Sequence, residues 1–518
     1  MQQRHHEYEF AEELQKWHNA GEDGRSNRDH YRAIGGQTER DMKSGGNQVN
    51  LWLAACICNL GAWVGGNALT WSSPAVPKLE KGEFLLISED EGSSLSSLIA
   101  FGAGFGPFLA SSLVDRVGRK TTLLLTMLMF LISWVLLVVV PQLNVMYLAR
   151  FISGIGVGSI YTVTPMYVAE IAEVSVRGAL LSIMQFFLVG GFLQEYIIGP
   201  YVSYQMLIYI NLVAPVVYVL TFIWIPESPY YYLNKGKKQE ATEALHWFRG
   251  KPDREFINKE IIAIEESVLE AQANKGRYID LFRSRGSLLG LYLSCALVAF
   301  QQLSGINVIL FYCQTIFEQA GASLDPSISA IIIGAVMLLA SAVTPPFTKK
   351  FGMKMCLYAS AVGMVLSQVV LGFYFFLDHH KYEIVSSLGW MPVTSLIAFI
   401  ITYCVGIGPL PWAYMGELFP QNLKANASAV TAGFCWFLGF FITRFFSPLT
   451  KEIGLHFGFW LFAAFCVLCY AFVYFHLPDT TGKTLQEIQD MLNGKKSRHK
   501  KVLHDMLYKY CEFSFVQS

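Results

Sequence analysis

The sequence predicts an all-α membrane protein of twelve transmembrane helices, set as two six-helix units around a charged helical insert, and three observations predict it. Of 518 residues, 53% are hydrophobic and 15% charged, whereas a soluble domain carries about a quarter charged residues. Apolar runs of the roughly 20 residues needed to cross the hydrocarbon core recur along the chain. One long polar stretch, 227–285, divides those runs six and six.

In chain order, residues 1–48 are polar with no secretory leader, so they read as a disordered tail and the first apolar run must itself direct insertion. The spans fall at approximately 49–71, 96–114, 121–141, 145–170, 178–200 and 206–226, forming an N-terminal six-helix domain over 49–226. In the insert, TEALHWFRG and EFINKEIIAIEESVLEAQ carry apolar residues at helical period on either side of Pro252, which predicts short surface helices. The remaining spans, at 286–317, 325–347, 354–377, 392–418, 425–449 and 456–477, form a C-terminal domain over 286–477, and 478–518 is a second tail.

Lysine and arginine set the orientation. With both termini cytoplasmic, the short inner loops hold eight (Arg116, Arg119, Lys120, Arg177, Lys349, Lys350, Lys354, Lys424) and the outer loops four (Lys78, Lys81, Lys381, Lys451), with Arg150 and Arg444 left inside spans. The balanced net charge gives none of the basic footprint of a nucleic-acid binder. No GxSxG, P-loop or HExxH pattern sits where an enzyme would need it. Nine of the ten cysteines lie in apolar segments and Cys511 in the tail, so no disulfide framework is expected. Cys466 and Cys469 share a helix face without a second ligand pair, which favours packing over a metal site. The only Asn-X-Ser/Thr triplet, Asn426 to Ser428, falls at an inner span end.

Two features recur in both halves. DRVGRK (115–120) follows the second span and KKFGMK (349–354) the eighth; Glu170 stands seven residues before Arg177 at the end of the fourth span, and Glu417 seven before Lys424 at the end of the tenth. Such parallel six-span repeats mark the major facilitator architecture, with a cavity between the halves near the midplane. The motifs DRVGRK, RFISGIGVG, PMYVAEIAEVSVRGAL, PESP, QQLSGIN, GPLPW and PDTTGKT run in order over nearly all of 49–484. In these the chain resembles the sugar porter branch of the major facilitator superfamily, and within it the facilitated trehalose transporters of insects and the facilitative glucose transporters.

The cations at span ends read as positive-inside anchors, but the acids beside them need another reason, because ionisable groups at membrane depth are costly unless paired. We expect Asp115, Arg116, Arg119, Glu170, Arg177, Lys350, Glu417 and Lys424 to form interdomain ion pairs that close the cytoplasmic side, a use the resemblance also implies. Met353 and Lys424 stand where arginines are usual in the family and Ser111 where a glycine is. Lysine lacks the bidentate contact of arginine, so the C-terminal half of this latch is expected to be looser.

A sugar needs uncharged amides beside aromatic faces. Gln185, Gln301, Gln302 and Asn307 lie inside apolar spans, where a single amide also serves as interhelical glue. On a regular helix Asn307 is about 140° from Gln302, so a break at Ser304–Gly305 is expected to bring them together. Pro409 and Pro411 should break the tenth span and present Trp412. The resemblance implies sugar contacts at Gln185, Gln301, Gln302, Asn307, Trp412 and Trp436. Met337, Cys404 and Cys435 replace polar residues of the family, which argues against the usual hexose.

The resemblance thus implies alternating-access uniport of a sugar such as trehalose or a hexose, by a plasma-membrane monomer whose partners are the sugar and the bilayer, without cofactor or metal. The alternatives are a non-transporting sugar receptor and a proton-coupled symporter. The first span carries no acid, and Glu195 in the fifth is placed near the outer end.

Overall fold

Inside a bilayer a backbone must satisfy its own polar groups, and the spans do so as helices. The structure, a computed structural model, describes residues 48–250, 254–273, 276–321, 324–480, 483 and 485–494. Most of both predicted tails, including Cys511, lies outside the described residues.

The first span is α1 (Val49–Thr70) continued by α2 (Ser72–Glu80). Then come α3 (Glu89–Val117), α4 (Arg119–Val139), α5 (Leu143–Ile171), α6 (Val174–Ile198) and α7 (Tyr204–Phe222). The insert holds α8 (Pro229–Asn234), α9 (Lys238–Phe248) and α10 (Arg254–Ala273). The seventh span is broken into α11 (Arg285–Leu303), α12 (Ile306–Phe311) and α13 (Cys313–Ala320), and is followed by α14 (Pro326–Phe351) and α15 (Met353–His379). The tenth is broken into α16 (Met391–Val405) and α17 (Leu410–Leu418), then α18 (Gln421–Ile453) and α19 (Leu455–Phe475) complete the second half, with α20 (Leu485–Leu492) beyond it. Among the described residues eleven helical segments are long and apolar enough to cross a membrane, and Pro326–Ala342 within α14 is the twelfth, shorter apolar stretch.

The duplication seen in sequence is also a backbone repeat. Gly118 (φ 96°) turns the chain from α3 into α4, and Gly352 (φ 79°) turns it from α14 into α15. Apolar helices gain no hydrophobic drive from one another in lipid, so close backbone approach carries the packing. A Cβ on Gly154 would lie 2.2 Å from the Ile99 carbonyl oxygen and one on Gly158 2.2 Å from that of Ala103, so only glycine lets α5 lie this close to α3.

Two seams join the halves. In one, α3 meets α18, with Gly104 against the Phe437 ring and Gly433 against Phe108. In the other, α6 meets α14, where Gly334 lies beside Tyr196 and Leu193. The insert is anchored to the first half by Arg249. Its buried guanidinium donates to Glu260 and, at 2.8 Å, to the Ile171 carbonyl, with Glu173 3.6 Å away.

Candidate transport site and gates

The seventh span breaks where its sequence suggested. Gly305 adopts φ 81°, a left-handed conformation that favours glycine. The break reorients α12, so that Asn307 Nδ2 donates to Gln302 Oε1 at 2.6 Å, a contact that a continuous helix would forbid. Gln302 Nε2 in turn donates to Cys435 Sγ at 3.1 Å, and the thiol lies 3.9 Å from Gln301 Oε1. Gln301 Nε2 donates to the carbonyls of Gly408 and, at 3.0 Å, Ile407, in the gap between α16 and α17. One cluster therefore ties together both broken helices and α18.

Trp436 is buried next to Cys435, with no hydrogen-bond partner for its indole Nε1 among the described residues, and Tyr161 of the first half meets it edge-on with ring centroids 5.5 Å apart. Trp412, half-buried, stands in the first turn of α17. The tenth span breaks over 406–409, with Pro409 closing the break as the N-cap of α17 and Pro411 in its first turn. At these positions a missing N–H costs nothing.

Gln185 is exposed on α6. Tyr196, 11 residues on and about 20° away around the axis, is buried, and its hydroxyl donates to the Leu310 carbonyl of α12 at 2.9 Å. The same helix face is therefore open toward the insert and closed at the opposite end. The buried replacements Met337, Cys404 and Cys435 belong to the second half. A cleft of about 480 Å³, lined by Trp63, Phe186, Gly190, Ile197 and Leu338 among others, lies on the side of α6 turned away from this face.

At the insert end, Arg119 Nη2 meets Glu170 Oε1 at 2.7 Å, and Glu170 also accepts from Ser228. Both partners belong to the first half, so this pair is intradomain. Burial pushes the Glu227 carboxyl up, opposed by the N–H groups of Ser228 and Lys120 at 2.7 and 2.9 Å. Arg177 donates to the Ala172 carbonyl at 3.3 Å. Asp115, Arg116 and Lys350 are exposed, Lys350 lying over the Phe351 ring, and Lys424 lies beside Gly416. Glu417 Oε2 is buried without a hydrogen-bond partner among the described residues. The expected set is thus gathered at one end, and Arg119 and Glu170 are joined to each other rather than to the second half.

The ion pairs that do cross between halves lie at the opposite end. Arg444, left inside a span by sequence, reaches Asp90 with two hydrogen bonds of 2.9 and 3.2 Å, and Lys451 reaches Glu89 at 2.9 Å. Tyr312 adds hydrogen bonds to Ser93 and the Thr443 carbonyl, and Ser72 one to the Phe311 carbonyl. Sequence offered one signal for this clasp, an arginine in an apolar run without an assigned role.

Glu195 differs from expectation. Its side chain is fully buried near Arg150 and Asn211, on a face about 80° from that of Gln185, rather than hydrated at the outer end. Arg150 is held by the Ala68 and Leu95 carbonyls and stacks 4.8 Å from the Trp71 ring.

Two six-helix halves joined by a helical insert have clear counterparts. The profile of the family described as sugar (and other) transporter matches residues 54–492. The chain belongs to that family. Facilitated trehalose transporters Tret1 are similar to this family member: that of Culex quinquefasciatus is 31% identical over 450 residues, 86% of each chain, and that of Bombyx mori 32% over 459 residues, 88% of this chain and 90% of the relative. The Aedes aegypti protein is 31% identical, and this chain spans 56% of its length. Among solved structures, the inward open conformation of the xylose transporter XylE from E. coli superimposes with TM-score 0.71 at 22% identity, covering 85% of this chain and 99% of that one. XylE bound to 6-bromo-6-deoxy-D-glucose gives 0.68 at 23% identity, covering 86% and 100%. At such identity these structures speak for the fold alone, and it is the major facilitator fold with twelve helices.

Proposed function

We propose that this family member is a facilitated carrier of a small sugar, with trehalose the first candidate, and that it works by alternating access. The observation that carries the reading is the cluster Gln301–Gln302–Asn307, placed by a helix break beside Trp436 and Tyr161 where the two halves meet. Gln185 and Trp412 complete the site. Amides with adjacent aromatic faces suit hydroxyls that both donate and accept.

In this reading the insert side is cytoplasmic, the membrane is the plasma membrane, and the carrier is caught facing inward. The clasp Asp90–Arg444 with Glu89–Lys451 holds the outside shut. In the outward state, Asp115, Arg116, Arg119, Glu170 and Arg177 of the first half would meet Lys350, Glu417 and Lys424 of the second. Uniport is supported by Glu195, which is enclosed with Arg150 away from the interface, and by a first span without an acid.

The similarity of the Tret1 proteins motivates trehalose, and Cys435 motivates breadth in the test. A thiol is a weak partner for Gln302, so the hexose contacts usual in the family are not all available here and the panel must reach beyond glucose. A second reading, a receptor that binds sugar without carrying it, draws on the same fact, since the amides already bond to one another and to backbone. Purified protein in liposomes separates the two with a panel of labelled trehalose, glucose, fructose and polyols. Equilibration of a panel member supports the carrier; binding without equilibration supports the receptor.

A further inference from the structure

Breaking a helix inside a membrane releases backbone groups that something must satisfy. At the break in the seventh span, the Ser304 carbonyl receives Gln368 Nε2 at 2.6 Å, and Gln368 Oε1 lies 3.8 Å from Cys466 Sγ. At the break in the tenth span, the Ile407 N–H donates to Ser360 Oγ at 3.1 Å, and Thr344 Oγ1 donates to the Cys404 carbonyl at 2.7 Å. Gln368 and Ser360 are 1% and 0% exposed. Both belong to α15, a helix that packs against α14, α16 and α19 and contributes nothing to either seam.

We propose that Gln368 and Ser360 are positioning residues of the transport cycle: from outside the cargo site they hold the two broken helices whose half-helices carry Asn307 and Trp412. The chemistry is specific. Gln368 offers the donor that a carbonyl needs, and Ser360 the acceptor that an N–H needs. The spacing fits as well, since eight residues along α15 span about 12 Å of axis, enough to reach two breaks at different depths. Without Gln368, the Ser304 carbonyl would be drawn to the regular helical partner, Val308 N–H. Straightening the span in that way would carry Asn307 away from Gln302. Without Ser360, the gap before α17 keeps the hold of Gln301 on its carbonyls but loses the partner of its Ile407 N–H, which loosens the support of Trp412.

This inference rests on the carrier reading for its kinetic consequence but not for its structural one, so two measurements test it. Backbone hydrogen exchange is followed in nanodiscs for wild type, Gln368→Met, Ser360→Ala and Ser360→Thr. Exchange over 406–410 is expected to rise about tenfold in Ser360→Ala, the factor carried by one lost hydrogen bond, and to return in Ser360→Thr. Exchange over 304–309 is expected to rise in Gln368→Met. Liposome uptake of whichever sugar wild type carries should show KM raised several-fold in Ser360→Ala and Gln368→Met and restored in Ser360→Thr. Unchanged exchange at both breaks, or raised exchange with unchanged KM, overturns the proposal. If wild type carries no sugar of the panel, the carrier reading fails and the exchange result still judges the positioning. If Gln368→Met does not fold, the serine pair decides alone.

Discussion

In the carrier reading, Cys435 is the residue on which the cargo turns. Its thiol accepts from Gln302 at 3.1 Å where a carbonyl would hold an amide better. Cys435→Asn supplies that carbonyl and a second amide donor, so affinity for glucose should rise, with KM falling several-fold in liposome uptake; an unchanged or higher KM contradicts the role. Gln302→Ala removes the partner of both Asn307 and Cys435. At about 1–3 kcal/mol for each polar group left unpaired, it should raise KM for the cargo about tenfold or more, and transport at wild-type KM would exclude Gln302 from the site.

The clasp is weaker by nature. Asp90 is 66% exposed, and a pair that wet contributes at most about 1 kcal/mol. Arg444→Gln should therefore shift the inward-to-outward ratio only a few-fold, read as the distance between spin labels on the outer ends of α3 and α18. A distribution identical to wild type would remove Arg444 from the gate. Glu417→Gln is expected to move the ratio the opposite way, toward inward, because Glu417 is assigned to the outward state alone.

At the scale of elements, breaks and close approaches set the architecture. Gly305→Ala combines a left-handed φ with a Cβ that would sit 2.4 Å from the Phe462 ring, and Gly158→Val forces apart two helices in backbone contact. Both should lower the melting temperature in detergent by many degrees, whereas Gly178→Ala, with nothing within 4 Å of its added carbon, should not. Arg249→Met leaves Glu173 and Glu260 without their shared cation. Breaking a buried pair in this way costs roughly 3–5 kcal/mol, so the insert should become protease-sensitive in this variant, and wild-type resistance would contradict the anchor.

The breaks also mark how far sequence reaches. Ser304–Gly305 was legible because a glycine beside a serine in an apolar run has few other uses, and Asn307 needed a bend to meet Gln302. Gln368 was not, because a lone amide in an apolar span looks the same whether it bonds to a neighbouring helix or to a released carbonyl. The partner is 64 residues away, and only the packing of α15 against the break identifies it. Arg444 and Asp90 are 354 residues apart, with Asp90 in the first turn of α3, where an acid already has a local reason to stand. Glu195 stands near the span end as expected, but its enclosure was not legible, for a related reason. Depth can be counted from a span end, but burial depends on neighbours such as Arg150, which no count supplies.

Across the whole molecule, twelve apolar runs, the insert and the repeated glycine turns made the fold readable, because a bilayer leaves a chain few alternatives. Conformational state was not readable, since both states share one sequence and differ in which weak pairs are made. In the carrier reading, the molecule with the clasp formed at one end and Gln185 exposed toward the other is half of a cycle. Its other half should bring Glu417 and Lys424 toward Arg119 and Glu170. Weak pairs at both ends keep the two states close in energy, as a carrier without an energy source requires.

Uptake of labelled trehalose into liposomes containing the purified protein tests this account most directly. It predicts equilibration to the external concentration and no further, saturable, faster with unlabelled sugar inside, and unaffected by a protonophore. Accumulation above equilibrium that collapses with the protonophore, or binding with no equilibration of any sugar in the panel, would contradict it.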